Sequence, residues 1–186
     1  RNPQSAVRNP QSSIRNPQFV VPLASTVRRR QVEPAIQQTR LEANDLSVTA
    51  IENDTYNALT YAEFAIVASG TATVEAALAG TPMVIIYRGS ELNWRLIRPL
   101  IQLDTFGMVN LIAGRRIVPE LMQREVTGER IAFEVTAILS DPARLSQMRK
   151  DLERVRELLG AGGSSGATRA AHAVMEAISA QHKRHS

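Results

Sequence analysis

The stretch FAIVASGTATVEAALAGTPMVIIYR, residues 64–88, decides the fold. Two apolar runs, 64–68 and 83–87, flank a short segment of small residues. Neither run alternates with polar residues, which is typical of parallel strands buried on both faces. The segment 71–79 between them is predicted to be a helix, closed by Gly80 because glycine is favoured just past a helix end. The stretch therefore predicts strand, helix and strand in one parallel sheet.

The same alternation extends towards the N-terminus. Apolar or β-branched runs predict strands at 19–21 and 47–51, and Asp54 is a plausible cap for a helix that ends near Ala62. Ser25 or Thr26 is expected to cap the helix after the first strand, and Pro34 is expected to interrupt or restart that helix around Glu33. Strands that alternate with helices in this way predict an α/β fold with a doubly wound, Rossmann-like parallel sheet.

After Arg88 the pattern predicts helices and no further strand. They are expected at 90–103 with a kink at Pro99, at 127–139, at 142–159 behind the cap Asp141, and at about 167–180. We expect two regions, a disordered tail at 1–17 and one folded α/β domain at 18–182.

The tail consists of a repeated seven-residue unit, RNPQSAV, RNPQSSI and RNPQ. A period of seven is found in coiled coils, but Pro3, Pro10 and Pro17 each block helix continuation. The tail also adds arginines that need not serve a function.

Composition limits the classes of partner. The 186 residues carry a net charge of +4, and only 4% are aromatic. This charge favours anionic partners, but the chain has no recognition motif or basic-aromatic patch, so a phosphate-bearing small molecule is expected rather than nucleic acid. It has no cysteine and no apolar run of 18 residues. A cytoplasmic setting without a membrane span is expected.

The turn at 69–73 is the candidate binding site. In a doubly wound sheet, ligands bind beyond the carboxyl ends of the strands, and the first turn of a helix attracts phosphate through its free N–H groups and its dipole. Gly70 permits close approach, the neighbouring hydroxyls add donors, and Glu75 is placed to accept hydrogen bonds from sugar hydroxyls. The alternative is ordinary helix capping with an early glutamate favoured by the dipole.

Other chemistries have little support. The chain lacks GxxxxGK[ST], the segment VASGT at 67–71 lacks the first glycine of GxSxG, and the histidines are confined to the last fifteen residues. A P-loop, a hydrolase elbow and a Ser-His-Asp triad are therefore not expected.

The motifs VASGTATVEAALAGTPMVIIYR and VNLIAGRRIVPELMQ together resemble the C-terminal half of lipid-A-disaccharide synthase, a bacterial glycosyltransferase family with a two-domain GT-B fold. The resemblance covers roughly residues 16–180. It implies an inverting hexosyltransferase of lipid A biosynthesis that moves 2,3-diacylglucosamine from its UDP conjugate to 2,3-diacylglucosamine 1-phosphate. It implies no cofactor and no bound metal.

The resemblance also implies roles for particular residues. Asn110 would be catalytic, and the residues near UDP would be Ser69, Gly70, Thr71, Ala72, Thr73, Glu75, Tyr87, Arg88, Arg115 and Gln123. The turn at 69–73 would hold the diphosphate and Glu75 the ribose hydroxyls.

The chain departs from the family at Met108-Val109, where leucine and proline are usual, and this departure is expected to free the loop that holds Asn110. The N-terminal acceptor domain, which supplies the candidate general base, is not in this sequence. The chain alone is therefore expected to bind UDP without turnover.

Two alternatives to a lipid-A glycosyltransferase remain open. They are a non-catalytic UDP-binding remnant and another UDP-sugar GT-B enzyme such as an epimerase, although the NLIAGR segment argues against the epimerase. Residues 88–103 carry three arginines among apolar residues, which indicates either a helix buried between domains or subunits, as in a homodimer, or peripheral contact with the inner membrane.

Overall fold

A computed structural model describes residues 17–43, 46–90, 105–160, 168 and 170–176. All of the predicted tail except Pro17 lies outside the described residues, as does most of the predicted helix 90–103. The strands are β1 (Gln18–Leu23), β2 (Ser47–Glu52), β3 (Ala65–Ala68), β4 (Met83–Tyr87) and β5 (Glu120–Met122). The helices are α1 (Arg29–Glu42), α2 (Thr55–Tyr61), α3 (Ala72–Ala79), α4 (Met108–Ala113), α5 (Gly128–Leu139) and α6 (Pro142–Leu158), and residues 170–176 are helical too.

The predicted α/β class with parallel strands is confirmed. The strands form two hydrogen-bonded groups, β1-β2 and β3-β4-β5, and every pairing is parallel. Ala65 lies opposite Met83, and Ile85 lies opposite Glu120. The carboxyl ends of β3, β4 and β5 therefore share one edge of the second group.

The core lies around β4, whose residues Met83, Val84 and Ile85 are all fully buried. Helices α3, α4 and α6 pack against one another beside it, and α5 contacts β4. Helix α6 packs through one apolar face, because Met148, Leu152 and Val155 are its buried residues. Among the described helices, none is both long and apolar enough to cross a bilayer.

The prediction that the strands are buried on both faces is right for β4 and wrong for β1, β2 and β3. Burial alternates along β2 and β3, and Ile66 of β3 is 46% exposed. In β1, Phe19 and Val20 are 40% and 51% exposed. Apolar side chains at these positions therefore lie on surfaces that the described residues leave uncovered.

Three local predictions are corrected. Helix α1 begins after Arg28 rather than at Ser25 or Thr26, and Gln31 Oε1 accepts the Arg28 N–H at 2.7 Å. Pro34 lies inside α1 without ending it, because proline at this position removes a single intrahelical hydrogen bond. A fifth strand follows α4, which the pattern missed because it has only three residues.

Candidate functional site

Predicted site residues meet at the carboxyl ends of three neighbouring strands. Ser69 follows β3, Tyr87 ends β4 and is followed by Arg88, and Gln123 follows β5. The Ser69 N–H donates to the Ile86 carbonyl at 2.8 Å, which extends the β3-β4 ladder to the start of the turn. The sheet thus positions these residues on one edge, where doubly wound folds bind ligands.

The turn between β3 and α3 presents free donors. Among the described residues, the N–H groups of Gly70, Thr71 and Ala72 have no acceptor, and neither do the hydroxyls of Ser69 and Thr71. Gly70 has a φ of 152°, a backbone conformation that residues other than glycine rarely adopt. A Cβ built on Gly70 meets no atom within 4 Å, so the space in front of its backbone is open. Three N–H groups at the start of a helix can together bind an anion.

Thr73 holds this turn in shape. Its side chain is fully buried, and its hydroxyl donates to the Gly70 carbonyl at 2.8 Å. The Thr73 N–H reaches the same carbonyl at 3.2 Å. In this arrangement Thr73 fixes the turn from behind, and its hydroxyl proton does not point at a ligand.

Glu75 lies in the first turn of α3 and is exposed. Its side chain makes no hydrogen bond or ion pair with the rest of the described chain. An exposed carboxylate with no protein partner, one turn from an anion-binding loop, can accept hydrogen bonds from the hydroxyls of a bound sugar.

Gln123 links the end of β5 to the segment after β4. Its Oε1 accepts the Gly89 N–H at 2.7 Å, and its backbone has a φ of 53°. The side chain is 6% exposed, yet Nε2 has no hydrogen-bond partner. The unpaired Nε2 and the positive φ each cost conformational free energy. Such costs are found mainly where a residue serves a functional site. Tyr87 and Arg88, on the same edge, are both exposed.

Asn110 is placed differently from the other predicted residues. It is fully buried in α4, and Nδ2 donates to the Val118 carbonyl at 3.0 Å and to Glu120 Oε1 at 2.6 Å. Its Oδ1 accepts the N–H groups of Ile117 and Val118 at 2.8 and 3.1 Å. The prediction that the segment around Asn110 is loosened by Met108-Val109 is wrong, because that segment is helical and the amide has four hydrogen bonds.

Glu120 completes this network. Its carboxyl group accepts the N–H groups of Phe106 and Gly107, each at 2.9 Å, in addition to the Asn110 amide. The Asn110–Glu120 pair therefore ties the start of α4 to the residues that enter β5, while the predicted UDP residues on the strand ends lie where the strands leave the sheet. Glu120 was not among the predicted site residues. A glutamate inside the apolar run IVPELM was the available signal.

Arg115 lies with Gln123 on a large open cavity between β5, α5 and α6. The cavity has a volume of about 1340 Å³ and includes five arginines and four acidic residues in its lining. Arg115 is paired there with Asp151, and Arg130 and Arg144 both contact Glu134, at 2.8 and 3.5 Å. The turn at 69–73 is not part of this lining, so the structure does not group Arg115 with the turn.

Comparison with known proteins places these features in a family. Residues 4–175 match the family model described as lipid-A-disaccharide synthetase. The chain is 42% identical over 147 residues to a lipid-A-disaccharide synthase of Geobacter metallireducens, which covers 79% of this chain and 37% of that protein. It is 40% identical to those of Geobacter sulfurreducens and Koribacter versatilis, covering 88% and 84% of this chain and 41% of each relative.

The chain thus spans about two fifths of the length of the curated relatives it matches. The family match covers nearly all of the sequence, including every residue of the turn, the strand ends and the buried Asn110–Glu120 pair. The chain belongs to the lipid-A-disaccharide synthetase family.

Proposed function

We propose that this chain is the donor-binding part of a lipid-A-disaccharide synthase and that the turn at 69–72 binds the diphosphate of a UDP-sugar. The observation that carries the proposal is the set of free N–H groups on Gly70, Thr71 and Ala72 at the carboxyl end of β3. Two free hydroxyls and the exposed Arg88 lie on the same edge of the sheet. Family membership supports a sugar nucleotide over other anions.

The proposed reaction transfers 2,3-diacylglucosamine from UDP to 2,3-diacylglucosamine 1-phosphate. The bond between the anomeric carbon and the UDP oxygen breaks, and the acceptor hydroxyl forms the new bond from the opposite face. Negative charge develops on the departing diphosphate, and fixed N–H donors at the turn stabilise it without having to reorient. A general base must take the proton of the acceptor hydroxyl.

We infer that turnover needs the part of the enzyme outside this chain. The chain spans about two fifths of its relatives, and its resemblance to the C-terminal half assigns the acceptor side to the remainder. This chain is therefore expected to bind the donor nucleotide and to leave it intact. Peripheral association with the inner membrane and homodimer formation stay predictions, because most of the segment 88–103 on which they rest lies outside the described residues. A cytoplasmic location, expected from the composition, also stays a prediction.

Thermal unfolding with UDP tests the proposal. At one hundred times its Kd, UDP should add about 2.7 kcal/mol to the free energy of unfolding, which raises Tm by roughly 5–10 °C. ATP at the same concentration should add much less. Glu75→Ala should lower the UDP shift, because the sugar hydroxyls lose their acceptor. Glu129→Ala is the matched control, since Glu129 lies in the first turn of α5. No shift at saturating UDP would show that the turn is only a helix cap.

Gln123 offers a second test of the same site. Gln123→Glu keeps an oxygen to accept the Gly89 N–H but replaces the free Nε2 donor with a second carboxylate oxygen. Repulsion between this carboxylate and a nearby diphosphate should reduce the UDP shift by at least about half. The measurement is the Tm difference with and without UDP within each variant, which removes any effect on the unliganded protein. An unchanged UDP shift would place Gln123 outside the donor site.

A further inference from the structure

Strand β2 lies at the outside of its hydrogen-bonded group, and β1 is its only partner among the described strands. The other side of β2 therefore carries backbone N–H and C=O groups that no described strand pairs. The segment LSVTAI at 46–51 has no charged residue and no proline. An uncharged edge rich in β-branched residues readily pairs with another chain, so its protection must come from outside the strand.

The register of β1 and β2 indicates which groups of β2 face the open side. Pro22 of β1 lies opposite Ile51. Proline has no N–H, so in a strand its nitrogen normally points away from the paired neighbour. Because successive residues of a strand point their N–H and C=O groups to opposite sides, the odd-numbered residues of β2 are then the ones bonded to β1. The carbonyls of Val48 and Ala50 therefore face the open edge.

Two arginines of α1 donate hydrogen bonds to these same two carbonyls. Arg29 Nη2 donates to the Ala50 carbonyl at 2.7 Å, and Arg40 Nη2 donates to the Val48 carbonyl. The two donors come from the first and last turns of α1, whereas the two acceptors are successive groups on one side of β2. Both arginines are exposed, as expected for side chains that reach the strand from its outer side.

Packing and charge hold the arginines in this position. Ile36 lies between them on α1 and is buried in one core cluster with apolar residues of β1 and β2. Arg29 Nη1 lies 3.9 Å from a carboxylate oxygen of Glu33, and Arg29 Nε lies 3.7 Å from one of Glu52 at the end of β2. An incoming strand would therefore meet a guanidinium group in place of a free carbonyl. Charged side chains at an edge are a known means of preventing edge-to-edge pairing.

We propose that Arg29 and Arg40 close the β2 edge and keep it from pairing with the β2 edge of a second copy of this chain. A two-fold axis beside β2 places the two copies of the strand antiparallel, so the segment 46–51 pairs with itself once the edge is open. The arginines thus supply from α1 the protection that β2 lacks in its own sequence. The inference does not depend on nucleotide binding.

The double variant Arg29→Ala with Arg40→Ala tests the proposal. Sedimentation velocity over a range of protein concentrations should show self-association at least about tenfold tighter than in the parent chain, because backbone groups of β2 become free to form hydrogen bonds with a second copy. The matched control is Arg30→Ala with Arg149→Ala. These two arginines are exposed and have no hydrogen bond or ion pair with β2 in the described part of the chain. The control loses the same charge and should associate like the parent.

Hydrogen exchange locates the new contact. In the parent chain the amides of Val48 and Ala50 should exchange faster than the amide of Thr49, which faces β1. In the associated double variant their exchange should slow by about tenfold or more. Thr49→Lys added to the double variant should restore the association of the parent, because Thr49 is exposed and lysines of two paired copies repel each other.

Association of the double variant no tighter than that of the control pair would overturn the inference. Tighter association that leaves the Val48 and Ala50 amides unprotected would also overturn it, because the copies would then meet at another surface. If the double variant does not fold, Arg29→Ala and Arg40→Ala are each compared with Arg30→Ala. Each opens one carbonyl and should tighten association by about threefold, and equal association of all three variants would contradict the proposed role.

Discussion

Asn110→Ala is expected to lower the free energy of unfolding by about 3 kcal/mol and Tm by roughly 6–12 °C. The Asn110 side chain is fully buried and makes four hydrogen bonds. Alanine leaves the N–H groups of Ile117 and Val118 without their acceptor and removes a donor from Glu120. Each buried group left unpaired costs about 1–3 kcal/mol, so the effect should greatly exceed that of an ordinary surface change.

Asn57→Ala is the matched control. Asn57 is exposed and donates to Asp54 at 2.6 Å, so its removal should change the free energy of unfolding by less than about 0.5 kcal/mol. Urea or thermal unfolding of both variants gives the comparison. Equal stabilities of the two variants would show that the buried network contributes little.

This prediction affects how Asn110 is interpreted. The family resemblance implies a catalytic role, whereas the observed hydrogen bonds occupy the whole amide group. An Asn110 variant of the full enzyme that loses activity would then have lost the shape of the segments 105–107 and 117–120. A direct catalytic role predicts the opposite: lost turnover in a variant of nearly normal stability.

Much of the fold followed from local pattern. Strands β3 and β4 and the helix between them were predicted because apolar runs, small residues and Gly80 all indicate the same structure, and Gly80 does take a left-handed conformation with φ of 75°. Helix α6 was predicted from Asp141, whose Oδ1 accepts the N–H groups of Ala143 and Arg144, each at 3.0 Å. These features depend on neighbours within a few residues, which a sequence shows directly.

The missed features depend on distant partners. Strand β5 is only three residues long and exists because β4 offers it an edge. Glu120 is buried because the Phe106 and Gly107 N–H groups, fourteen and thirteen residues away, need an acceptor. The division of the described strands into two hydrogen-bonded groups was also not predictable, because an apolar run indicates a strand but not which strand pairs with it.

In the candidate site, too, the features set by neighbouring residues were predicted and those set by distant partners were not. The turn at 69–73 was predicted because a strand end, a glycine and a helix start are adjacent in sequence. The separation of Asn110 from the strand ends was not, because it depends on the direction in which a helical side chain points. The motif resemblance placed Asn110 and the strand-end residues in one site. The structure instead places the strand-end residues on a surface edge and Asn110 in a buried network.

Glu120→Ala should reproduce the Asn110→Ala effect, and the two changes together should cost less than their sum. The Glu120 carboxyl group accepts three N–H groups, so alanine should lower the free energy of unfolding by about 3 kcal/mol. Once Asn110 is gone, one of those interactions no longer exists to be lost. We therefore expect a coupling of about 1–2 kcal/mol between the two sites. Glu153→Ala, at an exposed residue whose contact with Arg156 is 3.7 Å, is the control and should add independently to Asn110→Ala.

This double-mutant cycle of Asn110→Ala and Glu120→Ala also separates two roles of Asn110 in the full enzyme. If Asn110 acts by holding the network, Glu120→Ala should lower the activity of the full enzyme to the extent that it displaces Asn110. This loss is expected even though Glu120 does not lie on the strand-end edge. If Asn110 acts on the substrate, the two variants should differ in kcat while sharing their loss of stability. Additive stabilities with no coupling would contradict the network itself, since a shared hydrogen bond of 2.6 Å between buried side chains cannot be removed twice.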